Sequence, residues 1–252
     1  MPIVTLLTDF GTSDSYVAEV KGRLLSEAPD ASLVDITHAL APGDVHSAAY
    51  ILGRVWRHFP KGTIHLAIVD PGVGTSRAAF ALRAHGQLFV GPDNGIFTAV
   101  IREAAVEIVT LPIPVGGAPT FQGRDVFAPA AAALANGGAL ERLGPLFGGI
   151  PERFARREPH HEGKMLVGEV IYVDRFGTLV TNFTAENLPA YASIELEGTE
   201  VGRLRRTFGD VPTGGLVAYL GSGGEVEIAV RDGSAARRFG TGVGGKVRAR
   251  LG

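Results

Sequence analysis

The chain changes its hydrophobic rhythm once, near residue 150, and that switch limits what it can fold into more than any other feature. Over the first 135 or so residues, short β-rich runs alternate with helical stripes. Ile3 to Leu7 is a compact apolar run, too short for a helix and stopped by Asp9-Phe10-Gly11, so it reads as a buried strand. Val17, Val20, Leu24 and Leu25 follow at helical spacing until Pro29 closes the segment. Ser32 to Ile36 reads as the second strand. Ala48, Ile51, Leu52, Val55, Trp56 and Phe59 form the next stripe, ended by Pro60, and Thr63 to Val69 is the third strand. This β-α-β-α-β order predicts parallel strands joined by right-handed crossovers. Gln87 to Val90 adds a strand and Ile96 to Ile101 a helix, with Asp93 or Asn94 as its cap. Val126 to Ala135 is a last helix, ended by Gly137-Gly138.

Beyond residue 150 the helical stripes stop. Residues 151–164 are rich in charge, Pro and His and read as a linker. Met165–Val173, Leu179–Phe183, Ser193–Leu196, Leu216–Leu220, Val226–Val230 and Lys246–Leu251 are short β-rich runs separated by Gly-containing turns. The expectation is an α/β domain over 1–150 and an all-β domain over 165–252. The 35 glycines fall at turns with no fixed period, so they do not signal low complexity.

Composition narrows the function. With 24 basic and 26 acidic residues, the formal net charge of −2 leaves no electrostatic footprint for nucleic acid, and no polybasic run suits a membrane surface. Cysteine is absent, which removes disulfides, zinc–cysteine sites and thiol nucleophiles together. The N-terminus has no basic leader, and no apolar stretch approaches the ~20 residues of a membrane helix. A soluble, cytoplasmic protein is expected.

In an open parallel sheet, ligands bind beyond the carboxyl ends of the strands. Four strands here end in acidic turns: Thr8-Asp9-Phe10-Gly11, Val34-Asp35-Ile36-Thr37-His38, Val69-Asp70-Pro71-Gly72-Val73-Gly74 and Gly91-Pro92-Asp93-Asn94-Gly95. Singly, each is an ordinary turn or cap; together they form a polar crevice for a sugar or a metal. The third lacks both the Lys-Ser/Thr ending of a P-loop and the GxGxxG spacing. Arg77 follows Asp70 closely enough for the turn to fold its guanidinium back to the carboxylate, the alternative being a surface arginine. Arg124 and Asp125, at the start of the last helix, read as a structural pair and cap. His38 and His46 flank a Pro-Gly turn without the tight spacing of metal ligands. The residues by themselves reach a nucleotide-like crevice lined with carboxylates and choose no reaction; a metal-dependent phosphohydrolase using Asp9, Asp35, Asp70, Asp93 and Asn94 and a non-catalytic binder of a small ligand both stay open.

Taken in order, Leu7-Thr8-Asp9-Phe10-Gly11-Thr12, Val69-Asp70-Pro71-Gly72-Val73-Gly74-Thr75, Gly91-Pro92-Asp93-Asn94-Gly95 and Phe121-Gln122-Gly123-Arg124-Asp125 resemble the S-adenosyl-L-methionine (SAM) hydroxide adenosyltransferase family, relatives of the SAM-dependent fluorinase and chlorinase. Val173-Asp174-Arg175-Phe176-Gly177, Val180-Thr181-Asn182 and Tyr219-Leu220-Gly221-Ser222 continue the match across the second domain. The resemblance implies a Rossmann-like three-layer N-terminal domain with a mostly parallel sheet and a C-terminal β-barrel. It also implies a homotrimer, with SAM held between one subunit's first domain and its neighbour's second.

Position by position, the resemblance gives Asp9 the ribose hydroxyls and Asp174 the substrate ammonium, with Asp14 a further substrate-binding position. It makes Phe121 and Phe176 pocket walls, and assigns Ser222 and the backbone near Val230 to methionine and adenine groups, with Asn182 as an additional binding candidate. Where the halogenases have an aromatic residue this chain has Asp70, which favours water over halide as the nucleophile. The family commonly has His in the place of Gln122, and Asn where Thr178 and Arg231 stand. Glutamine donates and accepts hydrogen bonds but shuttles no proton near neutral pH.

The expected reaction is in-line displacement at the ribose C5′, releasing a neutral thioether, with SAM as substrate and neither metal nor cofactor required. An aspartate is a weak base toward bulk water. Asp70 and Arg77 are therefore expected to clamp a water and favour its hydroxide character, while Gln122 orients it.

Overall fold

A computed structural model describes residues 1–102, 105–155, 157–189 and 191–251; Arg156 of the expected linker and the terminal Gly252 lie outside them. The described chain forms two compact units, Met1–Phe154 and Ala155–Gly252.

The first unit is built on a six-stranded sheet. Its strands are β1 (Ile3–Thr8), β2 (Ser32–Thr37), β3 (Ile64–Ile68), β4 (Ala79–Ala84), β5 (Gln87–Pro92) and β6 (Glu107–Thr110), in the order β2-β1-β3-β5-β4-β6. β2, β1, β3 and β5 run parallel; β4 is antiparallel to both its neighbours. The helices are α1 (Tyr16–Glu27), α2 (Val45–Val55), α3 (Thr98–Arg102) and α4 (Ala128–Ala135).

Side-chain alternation sorts them into layers. Val4 and Leu6 of β1 face a core shared with Val20 and Leu24 of α1 and Ala131 and Leu134 of α4. Leu7 points the other way, among Val45 and Leu52 of α2 and Val100 of α3. The result is a Rossmann-like, helix–sheet–helix arrangement with a mostly parallel sheet, as expected.

Two strands escaped the sequence pattern. β4 is alanine-rich and reads as neither period, and β6 is only four residues long. The hairpin joining β4 to β5 turns through His85 and Gly86, both at positive φ (54° and 76°), so His occupies a turn position that usually announces itself with Asn or Asp. The last helix is also less regular than expected. Gly123–Phe127 is a π-helical turn, and the α-helix proper starts at Ala128.

The second unit is an antiparallel, nearly closed barrel. It comprises β7 (His160–Glu162), β8 (Met165–Val173), β9 (Leu179–Thr184), β10 (Ser193–Leu196), β11 (Thr199–Arg203), β12 (Leu216–Leu220), β13 (Glu225–Val230) and β14 (Lys246–Arg250), with a short helix α5 (Ala235–Phe239). The order is β11-β10-β14-β8-β9-β13-β12, with β7 alongside β8. Long β8 curves the sheet, pairing with β14 along Met165–Glu169 and with β9 from Val170 to Val173. The ends approach closure where the amide of Arg205, just past β11, donates to the carbonyl of Ala218 in β12 at 2.8 Å. Leu166, Val170, Phe183, Ile194, Ile228 and Val247 fill the interior. β7, β11 and α5 had no clear sequence signal. No helix among the described residues is long and apolar enough to cross a membrane.

Candidate active site

The sheet order puts a topological switch between β1 and β3: the chain leaves β1 toward β2 on one side and returns to β3 on the other. Such a switch opens a crevice past the strand ends. A cleft of ≈ 530 Å³ lies there, lined by Asp9 and Phe10 after β1, Pro42 and Gly43 after β2, Ile68, Asp70, Pro71 and Val73 at the end of β3, Tyr16 of α1, and Thr120–Gly123 at the start of the π-helical turn.

Its best-organised part is a cluster around Arg77. The turn after β3 is tightened by Thr75, whose hydroxyl donates to the Gly72 carbonyl at 2.7 Å. A Cβ on Gly72 would lie 3.3 Å from Arg77 Cγ, so glycine there leaves room for the arginine to fold back. Arg77 Nε donates to Asp70 Oδ1 at 3.0 Å, and Nη2 donates to both Asp70 Oδ2 and Gln122 Oε1. Nη1 donates to the Ala78 carbonyl at 3.3 Å, and the guanidinium lies 5.5 Å from the Phe127 ring centre.

Both charged side chains are nearly out of solvent, 10% exposed for Arg77 and 6% for Asp70. A buried ion pair persists only when paired and hydrogen-bonded, as here. Gln122, 5% exposed, uses its oxygen on Arg77. That fixes its amide orientation and leaves Nε2–H as a donor with no protein partner among the described residues.

The other strand-end acids go separate ways. Asp9 Oδ2 accepts from the Gly43 amide at 2.7 Å, joining the turns after β1 and β2. Asp35 is bound by Lys21 at 2.7 Å and lies 3.1 Å from His38 Nε2, off the hydrogen-bond direction. Burial raises its pKa, but Lys21 and His38 outweigh that and hold it below the ordinary value. Asp93 accepts from the Glu152 amide at 2.8 Å. Burial pushes its pKa up despite that bond and the charge of Arg77. Asn94 donates to the Val69 carbonyl at 2.8 Å. The five oxygen donors of the phosphohydrolase reading therefore do not converge. Among the described residues no group of three His, Asp or Glu side chains could hold a metal. His38 is tied to the Thr8 hydroxyl at 2.8 Å and His46 stacks on Phe154 at 3.8 Å, each with its own structural partner.

Arg124 and Asp125 form the expected structural pair, with bonds of 2.7 and 3.0 Å, extended to Glu19 at 2.9 Å. Asp125 also accepts from the Ala118 amide, 2.8 Å away. Asp14 is exposed in the loop before α1. Sequence reasoning found Phe121 but missed Phe10 and Tyr16, which pack with it around the cleft. Nothing in a lone aromatic beside a helix start announces that role.

In the second unit, Asp174 Oδ1 accepts from the amides of Phe176 (2.9 Å) and Thr178 (2.8 Å), closing the turn from β8 to β9. Phe176 is 77% exposed at that turn, a large apolar surface held toward solvent. Ser222 is exposed in the β12–β13 turn, and Val230 ends β13. Asn182 ties two backbone segments: its oxygen accepts from the Glu169 amide at 2.9 Å, and its Nδ2 donates to the Arg157 carbonyl at 2.8 Å. A Cβ on Gly168 would lie 2.3 Å from that oxygen.

An α/β domain with a carboxylate–guanidinium–amide cluster in the cleft at its switch point, followed by an antiparallel barrel, makes this a two-domain protein with a Rossmann-like first domain. The family model described as SAM hydroxide adenosyltransferase N-terminal domain matches residues 4–144, and that of the C-terminal domain matches residues 168–248. The chain is 44% identical to a (R)-S-adenosyl-L-methionine hydrolase of Thermus thermophilus over 257 residues, covering 97% of this chain and 98% of the relative. A fluorinase of Nocardia brasiliensis is 32% identical, over 100% of this chain and 97% of that one. In structure, an uncharacterized conserved protein from Thermotoga maritima matches with a TM-score of 0.89 and 34% identity, over 98% of this chain and 99% of that one. The chain belongs to the SAM hydroxide adenosyltransferase family.

Proposed function

We propose that this protein hydrolyses SAM: water attacks the ribose C5′, the C5′–S bond breaks, and adenosine, L-methionine and a proton are released. The observation that carries the reading is the buried Asp70–Arg77–Gln122 cluster on the wall of the cleft. The sulfonium leaves as a neutral thioether and so needs no leaving-group acid. What the site must add is a held, oriented and partly desolvated oxygen nucleophile.

In this proposal Asp70 accepts a hydrogen bond from the attacking water, and Gln122 Nε2 donates to its oxygen, turning the remaining lone pair on C5′. All three guanidinium nitrogens of Arg77 are engaged by protein oxygens, so Arg77 acts through its fixed charge, favouring hydroxide character on the water. The departing proton is passed to solvent. Asp9 would hold the ribose hydroxyls, with Phe121 as a wall and Asp14 near the substrate. Asp174, Phe176, Ser222 and the Val230 backbone on the second unit would receive the methionine and adenine groups. Asn182 would support this set through the backbone it ties down. A homotrimer is the assembly the family resemblance implies, and sedimentation equilibrium tests it.

Chromatography of a SAM incubation provides the decisive test. Adenosine and methionine in equal amounts are expected, with no 5′-halo-5′-deoxyadenosine in chloride buffer. The alternative, a slow or non-catalytic SAM binder, rests on Gln122 standing where a proton-shuttling histidine is common in the family, and the relatives named as SAM hydrolases do not favour it. Tight SAM binding by calorimetry, with no adenosine after prolonged incubation, would establish that reading in place of the first.

A further inference from the structure

Three aromatic rings wall part of the cleft. Tyr16 meets Phe121 edge to face at 5.4 Å and 88°, Phe10 meets Phe121 at 6.0 Å and 75°, and Phe10 lies 6.0 Å from Tyr16. One of them is out of place by packing criteria. Tyr16, the first residue of α1, is 48% exposed although it lines the cleft, whereas Phe10 and Phe121 are half-buried against the core. Phe121 also carries the guanidinium of Arg124 at 5.0 Å, so part of its π surface is already used.

The charge of the lining is the second observation. Its charged side chains are Asp9 and Asp70; Asp70 is balanced by Arg77 in their buried pair, and Asp9, held by the Gly43 amide, leaves the lining net negative. Arg124 behind Phe121 is held by Asp125 and Glu19, so that cluster is itself net negative. An aromatic wall whose neighbouring charges sum to negative suits a positively charged ligand.

A sulfonium is a cation with no N–H or O–H, so it cannot be recognised by donating a hydrogen bond. Ring faces and nearby negative charge are what remain. Resting on the hydrolase reading above, we propose that the wall formed by Phe10, Tyr16 and Phe121 is a subsite for the substrate's sulfonium centre, and that Tyr16 sets the preference for SAM over its neutral thioether counterpart. The positive charge on sulfur disappears as C5′–S breaks, so this contact is stronger with bound substrate than in the transition state. Its loss therefore raises KM and does not lower kcat. It also gives the products no charge for the rings to hold.

The test compares KM for SAM with the competitive inhibition constant of S-adenosyl-L-homocysteine, which keeps the ammonium, carboxylate and nucleoside and lacks only the methyl group and its positive charge. Tyr16→Leu should raise KM about ten-fold, within the span of a partly desolvated cation–π contact, while the inhibition constant moves by less than about two-fold. Tyr16→Phe, which keeps the ring, should preserve the native ratio. A Tyr16→Leu protein that weakens both ligands equally, or neither, overturns the subsite. Calorimetric dissociation constants give the same ratio if the native chain forms no adenosine. Failure of hydrolysis and failure of sulfonium recognition are thus separate results.

Discussion

Two of the arginine–carboxylate clusters in the first unit pair a guanidinium fork with an aspartate, and their difference shows what burial does to the same chemical pair. Arg77 with Asp70 and Arg124 with Asp125 are both fork-to-carboxylate contacts made by local chain geometry. The first is almost fully withdrawn from water, at 10% and 6% exposure, and adjoins the cleft. The second keeps 34% and 21% of its side chains exposed and braces the start of the π-helical turn against α1. A pair in water gains little, because solvent screens it. A buried pair is costly to break from one side and projects its field where charge develops in a reaction.

Breaking the buried pair should have the largest effect. Arg77→Ala is expected to lower kcat by roughly 100-fold or more and to destabilise the protein by about 3–5 kcal/mol, because Asp70 is left charged and unpartnered. Asp70→Ala should match it in activity while some SAM binding remains. Full turnover in either variant, scored by adenosine release, would remove the pair from the mechanism.

A buried neutral network extends the contrast to pH. His65 is fully buried between Thr5 and Gln87. Gln87 turns its oxygen to His65 because its amide nitrogen donates to the Phe59 carbonyl at 2.8 Å; His65 therefore donates from Nε2 and accepts the Thr5 hydroxyl at Nδ1. Burial lowers its pKa from 6.5 to about 4, partly offset by the bond to Gln87. The folded state thus refuses a proton that the unfolded chain accepts. Stability from this site is complete above pH 6.5 and declines as pH falls toward 4, by up to about 3 kcal/mol. Chemical denaturation across that window should show the decline, and His65→Gln should flatten it. An identical slope in the variant would assign the acid sensitivity elsewhere.

Gln122→His sharpens the comparison by adding a titratable group beside the buried pair. If a proton relay is useful there, kcat should rise several-fold with a new pH dependence near neutrality; an unchanged, pH-flat rate makes the residue an orienting group only. The smallest effect is expected outside. Arg124→Ala should leave the melting temperature and the adenosine-forming rate near their native values in differential scanning fluorimetry and steady-state assays. A large loss of either would erase the distinction between the two clusters.

Much of the scaffold was legible because it is written in local periods. β1, β2, β3 and α1 follow directly from short apolar runs and helical stripes, and the six expected strands of the second unit all form. What was illegible had no local signal: alanine-rich β4, four-residue β6, and a hairpin turn through His85. In the site, the nearness of Arg77 to Asp70 in sequence suggested their pairing. The arrival of Gln122 at the same guanidinium, 45 positions further along the chain, was reached only through family resemblance. Asn182 shows the opposite case, a polar residue in a recognisable motif whose amide is committed to the backbone.

The sequence by itself determined the two-unit plan, the strand-end acids and the family, because hydrophobic period, turn chemistry and ordered motifs are local properties. Only the tertiary structure decided which acids matter together. Asp9, Asp35, Asp70 and Asp93 look alike as turn residues, yet one is buried against an arginine and three are tied to separate partners. Burial and long-range contact, which set the strength of a charge, are properties of the folded chain.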